Sequence, residues 1–458
     1  MLPQVARRMV RLSRTVTAGF ASQIAQNTRP TWTVLNQNYH ASAAKYDRAV
    51  SASAAATKAA TKANDPGLAP ALPPAHVQQW LEDQTVDQKW LLINESERIS
   101  HPKLLHFASM MDINMRDKSC VDWLYNKETG VHPASHWILY NEYLPSSELA
   151  EDGYNMELQP PQPYVARMWA GGEITFHERC PMIGERMGVT SGHGSAPKHK
   201  VGKTGPMIFV DRRRDYFSFD TESCLMTERT TFVYRNAGEA KTSSEPIVNA
   251  KGNPNFANPV WTRPINWLNP IALFRYSALT WNSHMIHFDS EYAKHDGHRG
   301  VLVHGPLMAS LILDYLGFVS QQLAQQHAKD APATNGPKHS SLSWHIQYQR
   351  LYKFTYRALQ PLIVGTPVVI NAKPADAVVD PALHPEASEK EALKSSVLRT
   401  TPQVVRVWIS DASNPDVVYM DSEAIFVSPS FLGKESHTIR RPDSMPPVLT
   451  LGSSGLTK

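Results

Sequence analysis

Phe274–Leu313 reads FRYSALTWNSHMIHFDSEYAKHDGHRGVLVHGPLMASLIL, and the apolar run continues as LMASLILDYLGFV over Leu307–Val319. A helix with almost no polar face must be buried on every side or lie in a membrane. This one is too short for a membrane, so a curled sheet is expected to wrap it. The helix opens with Gly305-Pro306. A glycine at a buried helix start leaves backbone N–H groups unpaired, and those donors, with the helix dipole, can hold a developing oxyanion. The histidines just before it can move protons beside that position. The stretch therefore reads as part of an enzyme acting on a carbonyl. Asp314, inside the helix, is expected to turn toward an end or to be hydrogen-bonded.

Strand patterns follow this helix at Leu342–Tyr348, Tyr352–Tyr356, Thr366–Ala372, Gln403–Ile409 and Val417–Val427. The preceding half shows the same order. Residues 76–100 read as helical from Val77, Trp80, Leu81 and Trp90-Leu91-Leu92, and PASHWILY over Pro133–Tyr140 as a second short helix opened by proline. Val165–Phe176 then reads as strand, glycine-bearing bulge, strand, with Met207–Val210, Tyr216–Phe219 and Thr230–Tyr234 continuing the series. Two halves, each a helix followed by antiparallel strands, predict a duplicated α+β fold: a double hot-dog, two antiparallel sheets each wrapping a helix. The expected divisions are 1–47 a presequence, 48–75 an Ala/Lys and Pro-rich linker, 76–250 the first half, 251–432 the second with a surface insertion at 374–401, and 433–458 a tail.

Arg7, Arg8, Arg11, Arg14, Arg29 and Lys45 face only Asp47 within residues 1–47, a net +5 in a chain whose total is +4, so the remainder carries about −1. A near-neutral body gives no electrostatic support for nucleic-acid binding. The arm is rich in Arg, Ser, Thr and Ala, poor in acids and without a long apolar core. That is the pattern of a mitochondrial presequence rather than a secretory signal, and it predicts the mitochondrial matrix. No apolar run is long enough for a membrane span. Cys120, Cys180 and Cys224 are widely spaced and odd in number, which predicts buried thiols rather than disulfides or a zinc site.

Tyr276–Ala293, YSALTWNSHMIHFDSEYA, resembles the hydratase-2 signature of MaoC-like (R)-specific enoyl-thioester hydratases, and LVHGP at 302–306 resembles that family's turn into the hot-dog helix. RMWAGGEITF at 167–176, Pro181–Glu185 and FTYRALQPLIVGTP at 354–367 resemble its two-domain branch. That branch includes mitochondrial type 2 hydroxyacyl-thioester dehydratases and mesaconyl-CoA-type hydratases. The resemblance covers about residues 76–430. It implies a hydro-lyase in which His287 takes the catalytic histidine's position. The family's catalytic aspartate, five places earlier, falls on Asn282, a departure. An amide takes no proton, so Asn282 is expected to orient a water, a hydroxyl or the imidazole.

The implied mechanism has the thioester carbonyl accept from the Gly305 N–H and a neighbouring donor while His287 removes the α-proton and returns it to the β-hydroxyl held by Asn282. His304, Pro306, Tyr276 and Thr280 are the expected substrate-binding residues. His284, His295 and His298 read as solvated or structural, and Asp289 as a helix cap. The spacing of His284, His287 and Asp289 does not suit a metal, and no cofactor is expected beyond the phosphopantetheine or CoA carried by the substrate. Asp211–Asp215, DRRRD, suits either a carrier's phosphates or one solvated strand face. The expected activity is dehydration of (R)-3-hydroxyacyl thioesters of acyl carrier protein in mitochondrial fatty-acid synthesis. The alternatives are hydration of an enoyl-CoA or mesaconyl-type CoA ester, or a thioester-binding protein without turnover. A fused pair of hot-dogs permits a monomer or a homodimer.

Overall fold

The computed structural model describes residues 72–427 apart from 85–88, 94–97, 114–124, 127–129, 142–143, 157, 203–204, 237–244, 331–349 and 376–402. The expected presequence, most of the linker, the strand at Leu342–Tyr348, nearly all of the insertion, the tail and Cys120 lie outside the described residues.

The first half contains α1 (Ala75–Asp83), β1 (Lys89–Ile93), α2 (His101–Met110), a small hairpin of β2 (Tyr125–Asn126) and β3 (Gly130–Val131), and α3 (His136–Leu139). Long strands follow: β4 (Tyr164–Phe176), β5 (Met187–His193), β6 (Lys198–Gly202), β7 (Gly205–Ser218) and β8 (Ser223–Asn236). The second half holds β9 (Trp261–Ile265), α4 (Pro270–Thr280), α5 (Ser290–His295), α6 (Gly305–Asp330), β10 (Arg350–Ala358), β11 (Val368–Pro374), β12 (Gln403–Asp411) and β13 (Val418–Val427).

The helix read over residues 76–100 is corrected. It stops at Asp83, and Lys89–Ile93 pairs antiparallel with β5. A continuous apolar run such as Trp90-Leu91-Leu92 fits a strand as well as a helix, and partner strands decide between them. Met207–Val210 and Tyr216–Phe219 are two ends of one strand, β7. The glycine-bearing bulge of β4 is present, its register against β8 slipping between Trp169 and Gly171.

The two expected sheets run edge to edge as one. The order is β1-β5-β7-β8-β4-β10-β13-β12-β11-β9, with β6 on β7. The halves join where β4 pairs antiparallel with β10, Ile174 opposite Phe354 and Gly172 opposite Tyr356. Helix α6 provides Leu307, Ile312, Leu316 and Val319 to a buried cluster shared with Ile370 of β11 and Val405, Val407 and Ile409 of β12. Each such side chain contributes about 1.5–3 kcal/mol on burial, so the all-apolar helix is held by the sheet that curls round it. Asp314 is satisfied: Arg263 on β9 donates to its Oδ2 at 2.6 Å. The fold is thus a double hot-dog of the α+β class.

The first half also buries a carboxylate. Glu228 of β8 accepts from Trp137 Nε1 at 2.8 Å, Tyr216 hydroxyl at 2.8 Å and Thr230 hydroxyl at 3.1 Å. Burial opposes its ionisation, but neighbouring positive charge outweighs that and holds the carboxyl at about 2. His136 is itself pushed down by burial, so the guanidiniums of Arg212 and Arg214 are the cations that matter. The Asp211–Asp215 run is thereby placed inside a paired strand. Arg213 meets Asp215 at 2.9 Å, and Asp211 accepts from Ser195 and Thr231 at 2.6 Å each. Burial pushes the Cys180 and Cys224 thiols up to about 11, which leaves them unreactive. No helix among the described residues is long and apolar enough to cross a membrane.

Candidate active site

A succession of short turns delivers the histidines. Asn269 caps α4 by accepting from the Ala272 N–H, and Pro270 occupies its first turn. The helix ends at Trp281, which takes the left-handed conformation at φ 53° and lets the Asn282 N–H reach the Ser277 carbonyl at 3.0 Å. A 3₁₀ turn over Met285–His287 follows, then α5, capped by Asp289, which accepts from the N–H groups of Glu291 and Tyr292. Asp289 is therefore the expected cap. The chain returns with the Leu302 N–H on the Ile286 carbonyl at 2.9 Å and enters α6 through His304.

His287 and His304 stack, ring centroids 3.7 Å apart at 18°. The Nδ1 of His287 lies 2.9 Å from the Leu302 carbonyl. A carbonyl only accepts, so the proton sits on Nδ1 and Nε2 presents a lone pair. Burial, reinforced by the nearby His284, pushes His287 down to about 3, so it stands as a neutral base. His304 is fully buried, its Nε2 2.9 Å from the Ser277 hydroxyl and its Nδ1 without a partner. Burial, with His287 beside it, pushes it well down as well.

Gly305 begins α6 as expected. The Met308 N–H is taken by the His304 carbonyl at 3.1 Å and Pro306 has no N–H, while those of Gly305 and Leu307 have no acceptor among the described residues. These two donors lie one turn of chain from the histidine pair, where an oxyanion would gain most. A Cβ at Gly305 would stand 2.2 Å from Cε3 of Trp169, so only glycine fits. Trp169 comes from β4 of the first half and stacks at 4.5 Å and 14° on Tyr356 of β10. Both halves therefore build this wall.

The remaining expected residues are distributed as follows. Tyr276 is buried with its ring 5.0 Å from His304. Pro306 sits in the first turn of α6, its carbonyl accepting from Ser310 at 2.8 Å. Thr280 donates to the Tyr276 carbonyl at 2.8 Å, which ties its hydroxyl to its own helix. Asn282 Oδ1 accepts the His284 N–H at 3.0 Å. His284 and His298 are both buried, each facing a carboxylate: His284 with Asp152 at 3.1 Å and His298 with Asp296 at 3.2 Å. Asp152, Trp169 and Ser277 escaped the sequence reading. Nothing in the sequence around Asp152 connects it to the motif over a hundred residues on, whereas Trp169 lies in the RMWAGGEITF stretch and Ser277 inside the motif, where neither was given a role. Among the described residues, no group of three or more His, Cys, Asp or Glu side chains could hold a metal ion.

Residues 134–331 match the family model described as hydroxyacyl-thioester dehydratase type 2. The chain is 34% identical over 187 residues to the mesaconyl-C(4)-CoA hydratase of Chloroflexus aurantiacus, a match covering 40% of this chain and 62% of that protein, less than two thirds of its length. It is 24% identical over 272 residues to the mitochondrial hydroxyacyl-thioester dehydratase type 2 of Schizosaccharomyces pombe, covering 53% of this chain and 78% of that one. A solved structure titled MaoC-like dehydratase is 12% identical, with a TM-score of 0.49 over 76% of this chain and 99% of the other; the strand pairing, not this likeness, carries the fold. The signature at Tyr276–Ala293, the turn into α6 and the family match over residues 134–331 converge on one similarity, to the type 2 hydroxyacyl-thioester dehydratases and related MaoC-like hydratases.

Proposed function

We propose that this chain is a hydro-lyase that interconverts (R)-3-hydroxyacyl thioesters and trans-2-enoyl thioesters. The observation that carries this reading is the neutral His287, its proton fixed on Nδ1 by the Leu302 carbonyl, beside the unpaired N–H groups of Gly305 and Leu307. A lone pair in the segment that leads into a helix start with two unpaired donors suits removal of a proton α to a carbonyl, because such donors can hold the charge that gathers on the enolate oxygen. The Trp169 indole, stacked on Tyr356, packs against Gly305, and apolar surroundings strengthen such hydrogen bonds. The relatives' names, a hydratase and a dehydratase of acyl thioesters, support the same chemistry.

The physiological direction we assign is dehydration on acyl carrier protein in mitochondrial fatty-acid synthesis. The arginine-rich, acid-poor arm over residues 1–47 and the mitochondrial relative support a place in the matrix. A second reading, hydration of a CoA ester, is favoured by the higher identity to the mesaconyl-C(4)-CoA hydratase. One experiment separates them: the purified chain is assayed for crotonyl-CoA hydration and for dehydration of 3-hydroxyacyl groups on CoA and on acyl carrier protein. Preference for the carrier protein supports the first reading, and preference for CoA the second. Absence of turnover on both, with retained binding, would point to a thioester-binding protein.

A further inference from the structure

The elimination of water from a 3-hydroxyacyl thioester needs two proton events, removal at Cα and delivery to the departing β-oxygen. Asn282 stands where a carboxylate was expected, and an amide neither takes up nor gives up a proton near neutral pH. Its Oδ1 is moreover engaged by the His284 N–H at 3.0 Å.

The first half of the chain brings a carboxylate to the same place by another route. The loop over Ala150–Tyr154 docks on the histidine segment: the Met285 N–H donates to the Asp152 carbonyl at 2.8 Å, and Ser283 donates to the Gly153 carbonyl. Gly153 is at φ 78°, and a Cβ there would meet the Ser283 carbonyl oxygen at 2.2 Å, so the close approach requires glycine. Docked this way, Asp152 Oδ2 takes the Nε2–H of His284 at 3.1 Å while its Oδ1 takes the Tyr154 N–H at 3.0 Å. The Nδ1 of His284 has no hydrogen-bond partner among the described residues. Its ring stands edge-on to His287, centroids 5.8 Å apart at 89°.

Two imidazoles thus stand side by side, each anchored through one nitrogen and open at the other, but on opposite anchors. His287 rests on a carbonyl, which cannot balance a positive charge. His284 rests on a carboxylate, which can. We propose that His284, held by Asp152, is the proton donor to the leaving β-oxygen and supplies the proton carrier that Asn282 cannot. This inference rests on the hydro-lyase reading above.

The step balances as follows. His287 Nε2 takes the α-proton, and the Cα–H electron pair becomes the Cα=Cβ bond through the enolate held by Gly305 and Leu307. The Cβ–O bond breaks with its electrons on oxygen, and the proton on His284 Nδ1 completes the water. One proton then returns from His287 to His284 through solvent. The charged and titratable groups facing His284 are Asp152 and Tyr154 of the docking loop, His287 of the 3₁₀ turn, Tyr292 of α5 and His304. Arg167 of β4, 3.2 Å above the Tyr154 ring, adds positive charge next to Asp152.

The test separates the two proton events. Wild type, His287→Ala, His284→Gln and Asp152→Asn are compared in crotonyl-CoA hydration, 3-hydroxybutyryl-CoA dehydration and deuterium exchange at Cα of butyryl-CoA, which has no β-oxygen. His284→Gln is expected to lose about a hundredfold in hydration and dehydration while exchanging the α-proton within a few-fold of wild type. His287→Ala is expected to lose both. Asp152→Asn is expected to lose hydration and dehydration toward the level of His284→Gln while exchanging the α-proton of butyryl-CoA within a few-fold of wild type, a split that a merely structural aspartate would not produce. Turnover retained in His284→Gln, exchange lost with turnover, or turnover and exchange lost together in Asp152→Asn would each overturn the donor role while leaving the hydro-lyase reading intact. A wild-type chain that neither turns over nor exchanges overturns both.

Discussion

The rings of His287 and His304 lie face to face, 3.7 Å between centroids and 18° from parallel, at the mouth of helix α6. Two imidazoles in such contact cannot both be charged, and each is buried where a charge would go unsolvated. The pair therefore folds as two neutral rings.

That neutrality makes the fold sensitive to acid. His287 is held at about 3 and His132 at about 4, both chiefly by burial, against 6.5 for the ordinary group. The unfolded chain binds protons at these sites before the folded chain does. Stability is therefore full above about pH 6.5 and is lost as pH falls from there toward 3–4. At about 1.4 kcal/mol per unit, the loss is on the order of a few kcal/mol per site. Thermal midpoints measured between pH 8 and pH 4 should fall steadily, and His287→Gln should flatten the decline. A midpoint independent of pH over that range would contradict the buried neutral assignment.

Activity should respond to pH differently from an ordinary histidine enzyme. With His287 deprotonated down to about pH 3, the acid limb of kcat/KM due to the base should lie below about pH 5 rather than near 6.5. Replacing the ring in His287→Ala should lower kcat by about a hundredfold or more with little change in KM, since the proton is moved only in the reaction's transition state. An equal rise in KM with kcat preserved would make His287 a binding residue instead.

Gly305→Ala should disturb both fold and function, because its methyl would meet Trp169 Cε3 at 2.2 Å. Overpacking of this kind costs about 1–3 kcal/mol. The relief is specific: Gly305→Ala combined with Trp169→Ala should be more stable than the sum of the two single losses predicts. A double-mutant cycle of denaturation midpoints reads this coupling, and strict additivity would mean that the indole does not bear on Gly305.

Removal of the buried carboxylate should be costly. Glu228→Ala strands the Trp137, Tyr216 and Thr230 donors and removes a buried negative charge that faces Arg212 and Arg214. Breaking a buried charge cluster on one side typically destabilises by about 3–5 kcal/mol, a shift visible in urea midpoints. Glu228→Gln, which keeps an acceptor, should lose less.

How far the sequence was legible follows from how local each feature is. The apolar stretch at Leu307–Val319, the glycine-proline start of its helix and the histidine spacing before it all depend on neighbours along the chain, and all are found where they were expected. The strands that were overlooked have weak local signals. Met187–His193 is buried throughout but reads GVTSGH after its first residue, with glycines and serine that discourage a strand assignment. Trp261–Ile265 carries Pro264, tolerated because β9 is the last strand of the sheet. The DRRRD run hid the centre of β7, since its charges suggested a break and the pairing with β5 and β8 supplies the continuity.

The sequence by itself determined that one apolar helix had to be buried over most of its surface, though Phe318 stays exposed, that it would begin with unpaired N–H groups, and that an imidazole would precede them. Periodicity, helix-end chemistry and residue spacing act over a few residues, so they can be read from the chain alone. Only the tertiary structure decided that His284 faces Asp152, that Trp169 closes on Gly305 and that the two halves share one sheet. Those relationships join residues more than a hundred positions apart. They exist because β4 pairs with β10 and the Ala150–Tyr154 loop settles on the histidine segment, contacts set by packing across the whole fold and not by any local pattern.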